Sequence, residues 1–92
     1  MITKPCIHSN GTSADRLLEG YRIAYRAITD AMGALRENAA PHPRDYSPLG
    51  WDHQHAAMEE HKSRLAALLN VQAELLELME HCSAGRRVQV LT

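Results

Sequence analysis

Residues 52–82 read DHQHAAMEEHKSRLAALLNVQAELLELMEHC, and the fold turns on how their apolar side chains are spaced. Leu65, Leu68, Leu75, Met79 and Cys82 recur at steps of three, four and seven, which places them on one face of a helix. Leu69 and Leu76 widen that stripe, and Val71 and Leu78 carry apolar surface round to a second side. Only a narrow band through Ser63, Asn70, Glu74, Glu77 and His81 reads as wet. The stretch therefore predicts a helix from about 52 to about 82, started by Asp52 as N-cap and stopped by Ser83, Ala84 and Gly85.

A second helix is expected ahead of it. Ala14, Leu17, Tyr21, Ala24, Ile28, Ala31 and Leu35 follow one another at steps of three and four. Thr12 with Asp15 three positions later resembles a capping box, and Pro41 and Pro43 forbid continuation, so this helix should span about 13–39. Gly20, Ala27 and Ala34 repeat at intervals of seven, which suits close approach by another helix but is equally the pattern of a plain solvent face. A short connection between two long helices implies an all-α chain, one domain over 1–92, built as a long antiparallel hairpin. At the ends, Arg87–Thr92 alternates as RVQVLT and could form a short strand beside Cys6 and Ile7, with an unstructured tail as the competing outcome.

Two helices of this length meeting along one seam cannot hide all of their apolar residues, and a chain of 92 residues has little core to spare. Assembly into a helical-bundle homo-oligomer is the expected remedy. His61 and Gln72 fall on seam positions, where a polar side chain commonly fixes register or subunit number at some cost in stability.

Composition narrows the function classes. With 10 Lys+Arg against 11 Asp+Glu and a formal net charge of -1, the chain lacks the basic surface of a protein that binds bulk DNA or RNA. It has no apolar run of about 18 residues, and its start is broken by Lys4, Pro5, His8 and Asn10, so neither a signal peptide nor a membrane span is expected and the chain reads as cytoplasmic. Cys6 and Cys82 form no CxxC pair and are expected as free thiols. His53 and His55 do not reach His61 by an i, i+4 step, which argues against zinc. No nucleophile elbow or P-loop occurs, so the chain is expected to be no enzyme and to carry no cofactor.

Three polar stretches are candidates for ligand binding. His8, Asn10, Gly11 and Thr12 lead into the first helix, where free amides and the helix dipole suit an anion, although a turn and a cap account for the same residues. Arg44, Asp45 and Tyr46 lie in a loop stiffened by Pro41, Pro43 and Pro48, in which the arginine could hold phosphate and the tyrosine stack on a base; a local ion pair, with Tyr46 and Trp51 closing the apolar tip, is the alternative. His61 and Arg64 are three apart early in the second helix and could share a phosphate, or be part of a charged face in which Glu60 pairs with Arg64. The first stretch lies a helix length from the other two, so cooperation would have to cross a subunit boundary.

The runs HSNGTS at 8–13, PHPRDYSP at 41–48 and EHKSRL at 60–65 resemble a pattern of small bacteriophage proteins that combine an NGT-type start, an RDY loop and an EHxxR segment in one helical hairpin. The resemblance covers about residues 8–80. In general architecture such chains are similar to the viral anti-defence sponges that sequester cyclic oligonucleotide or cyclic ADP-ribose signals of bacterial immunity. It implies a non-enzymatic binder of a small anionic nucleotide between subunits; no sponge residue aligns with this chain. On the residues alone, Arg44 and Arg64 would meet phosphates, Tyr46 would stack, and Asn10 and Thr12 would supply directional hydrogen bonds. The alternative is a protein-interaction module, such as a viral inhibitor of a host protein or a small assembly component, docking through the apolar side of the second helix.

Overall fold

The structure is a computed structural model that describes the backbone of residues 2–91 and the side chains of residues 2–85. It is all-α among these residues, with α1 (Ala14–Asn38), a short α2 (Pro43–Tyr46), a 3-10 turn (Ser47–Leu49) and α3 (Trp51–Leu91). The molecule measures 65 × 23 × 18 Å. At about 1.5 Å of rise per residue, the 41 residues of α3 account for that long dimension, whereas the 25 of α1 cover little more than half of it.

α1 starts where a hydroxyl can satisfy a free amide. The residue that does so is Ser13, in extended conformation, whose Oγ accepts from the Arg16 N–H at 3.2 Å; Thr12, the expected cap, lies one position outside. The helix ends at Ala39, whose N–H reaches Leu35 O at 3.0 Å, as the prolines require.

The proline-rich connection is more regular than a stiff loop. Pro43 occupies the first turn of α2, where its missing N–H costs nothing, and His42 Nδ1 accepts from the Arg44 N–H at 3.1 Å. Gly50 then turns the chain with φ 113 and ψ 159, a backbone that side-chain-bearing residues rarely adopt, and its carbonyl accepts from His53 at 3.2 Å and Gln54 at 3.3 Å. α3 thus opens at Trp51, and Asp52, expected as the cap, belongs to its first turn.

Beyond residue 82 the expectation fails. Ser83, Ala84 and Gly85 do not stop the helix, and Arg87–Leu91 continue it instead of forming a strand; Thr92 lies outside the described residues. Gly85 serves another purpose: a Cβ there would stand 2.8 Å from Ile7 Cγ1. The glycine marks the close passage of the N-terminal segment over α3. That segment is held by a second contact, in which His81 Nε2 donates to Pro5 O at 2.7 Å, the carbonyl being able only to accept. No strand occurs among the described residues, so Cys6 and Ile7 belong to extended chain laid against a helix.

α1 and α3 enclose a thin core. Ala14, Leu18 and Met32 from α1 and Ala57 and Cys82 from α3 are its buried apolar residues, joined by His61 and Gln72. Gln72 is well supplied with partners, its amide donating to Thr29 Oγ1 at 2.7 Å and to Tyr25 O at 3.3 Å. Most leucines of α3 are only half-buried, and Leu69, Leu76, Val71 and, on α1, Ile23 remain exposed. Both cysteines are free, with Cys6 exposed and Cys82 fully buried.

Candidate functional site

The end of the molecule where α1 gives way to α3 carries two recesses, produced by the same local chemistry. Prolines force the chain out of α1, α2 and the 3-10 turn fold back over the start of α3, and Gly50 permits the reversal. The first recess is a groove of about 260 Å³ lined by residues of the connection, Tyr46 and Leu49 among them, and on α3 by His53, Ala57, Glu60 and Arg64. A phenol, an imidazole, a guanidinium and a carboxylate thus border one space. The Arg64 guanidinium stands 4.0 Å from the Glu60 carboxylate, and both side chains are more than half exposed, so their mutual attraction is weak and the cation remains available to an anion.

Of the expected residues, Tyr46 and Arg64 are brought together here, although they are far apart in sequence. Arg44 and Asp45 are exposed on α2 and lie outside the groove lining. His61 does not share a surface with Arg64: it is 6% exposed, within the contact between α1 and α3, and its Nδ1 has no hydrogen-bond partner. The step of three that joins the two residues in sequence carries His61 toward α1 and Arg64 toward solvent, because Ala57 and His61 continue the buried face. In the sequence His53 enters only as a candidate metal ligand and Glu60 only as a partner for Arg64; the fold of the connection sets both on the groove.

The second recess, about 400 Å³ and wide open, is lined by Trp51, Asp52, Gln54, His55 and Met58. Trp51 does not close an apolar tip, being 75% exposed. Beside it, the buried Oε1 of Gln54 accepts no hydrogen bond.

His8, Asn10, Gly11 and Thr12 are exposed and occupy the opposite end. The Gly11 N–H donates to His8 O at 3.1 Å, closing a turn, and a Cβ on Gly11 would meet His8 Nε2 at 2.8 Å. The neighbouring atom is the tip of an exposed imidazole that can swing aside, so this contact does not by itself require glycine at the position. Since Ile7 lies over Gly85, some 25 residues of α3 separate this turn from Glu60, which is about 40 Å at the helical rise. The two candidate regions do not meet within one chain.

Burial raises the pKa of the Cys82 thiol, so it stays protonated and inert, whereas Cys6 is open to solvent. No described helix is long and apolar enough to cross a membrane. The sequence matches no family model, and no curated protein or solved structure is significantly similar to it.

Proposed function

We propose that this chain is a non-enzymatic binder: a long antiparallel helical hairpin that associates with copies of itself and sequesters a small anionic nucleotide, of the cyclic oligonucleotide or cyclic ADP-ribose type, between subunits, as a cytoplasmic element of viral counter-defence. The supporting observation is the groove of Tyr46, His53 and Arg64, which offers stacking and a cation in about 260 Å³. Pockets that enclose a small ligand are usually roughly 300–1,000 Å³, so this one is a half-site that needs a second wall. Such a protein requires affinity and abundance, and no turnover.

Native mass spectrometry of the purified protein, alone and with a mixture of cyclic dinucleotides, cyclic trinucleotides and ADP-ribose derivatives, tests the reading. A defined oligomer that gains discrete nucleotide masses supports it. Arg64→Ala and Tyr46→Ala should then remove the adducts without changing the oligomer; retention of full affinity by both would sink the site. A second reading, a docking module for another protein, is favoured by the exposed Val71 and the apolar side that it shares with Leu78. An oligomer that captures no nucleotide, and loses a protein partner on Val71→Asp, would transfer the assignment to it.

A further inference from the structure

One exposed face of α3 is complementary to itself when turned end for end. Ala66, Leu69, Ala73 and Leu76 follow at steps of three, four and three, and Lys62 and Glu80 extend the row by four at either end. All six residues are exposed, Leu69 to 52% and Leu76 to 44%, although leucines at helix-face spacing ordinarily mark a buried seam. The row is palindromic in kind. Laid antiparallel on a second copy and centred at the level of residue 71, it sets Leu69 opposite Ala73, Ala66 opposite Leu76, and Lys62 opposite Glu80, so that each large side chain meets a small one and each charge meets its opposite. One layer further out, the half-buried Met58 comes level with the exposed Ala84.

We infer that this face is an isologous interface, in which α3 pairs antiparallel with α3 of a second copy through Lys62, Ala66, Leu69, Ala73, Leu76 and Glu80. Alanine opposite leucine lets two helices approach closely, and a twofold axis makes each contact occur twice. The charges choose the register. Shifting the second copy by one turn puts Leu69 against Leu76 and breaks both ion pairs, and a parallel arrangement sets Lys62 against Lys62 and Glu80 against Glu80. No partner of other composition is needed, since the face supplies its own complement. The inference rests on the self-association proposed above and specifies its geometry. It also sends the groove end of one copy toward the N-terminal end of the other.

Charge exchange at the ends of the row tests the pairing on surface residues whose replacement leaves the core intact. Lys62→Glu and Glu80→Lys should each raise the dimer dissociation constant about tenfold or more in sedimentation equilibrium, with unchanged helical circular dichroism. The double variant should return to within about threefold of the parent, because each reversed charge again faces its opposite. Mixing the two single variants should likewise restore dimerisation, since the heterodimer sets the two reversed charges against each other at one end of the row and the native Lys62 against the native Glu80 at the other; a mixture that forms no heterodimer would also overturn the pairing. A double variant as weak as the sum of the singles, single variants that dimerise like the parent, or a parent that is monomeric would each overturn the pairing. Nucleotide capture by an oligomer that ignores the exchange would leave the proposed function standing and dismiss only this face.

Discussion

Gln72 shows at the scale of one residue how a polar group can belong to a seam. Its amide bridges Thr29 Oγ1 and Tyr25 O, and the Thr29 hydroxyl itself donates to Tyr25 O at 3.1 Å, so one turn of α1 is tied to one point of α3. Replacing it by alanine removes both bonds and leaves the Thr29 pair half-used. We expect Gln72→Ala to lower unfolding stability by about 1–2 kcal/mol in urea denaturation, with little change in the slope of the transition. That Gln72 and His61 sit on the seam was legible from their heptad positions; that one is fully partnered and the other holds a bare Nδ1 was not, because partners from α1 are not encoded in the spacing of α3. The thiol of Cys82 offers a second residue-scale test. Burial favours its neutral form, so its folded pKa lies above the unfolded one, and its contribution to stability is complete below the unfolded pKa and lost as pH rises through the folded value. A colourimetric thiol assay on native protein near neutral pH should find one fast cysteine, Cys6, and a slow one that becomes fast on denaturation. Two equally fast thiols would contradict the burial.

Elements are where reading from sequence succeeded most and erred most instructively. Periodicity located the body of both long helices, since apolar spacing persists over many turns. Their ends were misread wherever a glycine or a hydroxyl could serve two purposes. Ser-Ala-Gly at 83–85 resembles a helix stop, yet Gly85 is helical and small because Ile7 lies on it. Gly50, by contrast, acts through its backbone, with φ 113. The two glycines therefore predict opposite responses to added bulk. Gly50→Ala should cost about 1–3 kcal/mol of stability from strain at that φ, and no change elsewhere in the chain should restore it. Gly85→Ala gains roughly 1 kcal/mol in helix propensity, but its Cβ displaces Ile7. Hydrogen exchange or limited proteolysis should show the N-terminal segment loosened in Gly85→Ala and tightened again in Gly85→Ala with Ile7→Ala. An N-terminal segment as protected in Gly85→Ala as in the parent would show that the close approach is dispensable.

For the molecule as a whole, the decisive quantity is the difference in length between its helices. A strand pairing of the termini was expected because equal helices would bring both ends of the chain level. Instead α3 outruns α1, and the chain ahead of Ser13 lies along the excess, pinned through Pro5 and Ile7. The candidate site divided in the same way. Tyr46 and Arg64 could be picked from the sequence as residue types suited to nucleotides, whereas their convergence with His53 and Glu60 depends on how three prolines and a glycine fold the connection back. A core of so few buried apolar residues also bears on stability: under the self-association proposed above, the chain should unfold at lower urea concentration on dilution, because mass action would then couple folding to association. A midpoint that does not move over a hundredfold range of concentration would oppose association in that range.

Trp51 is the only tryptophan in the chain and is 75% exposed, at one extremity of a rod 65 Å long. Its indole is already immersed in water in the native state, so unfolding changes its surroundings little and its fluorescence follows denaturation poorly. That insensitivity makes it a clean reporter of another event. A blue shift or quenching in otherwise native protein registers something arriving at that extremity, and the wild-type chain carries this probe without any label.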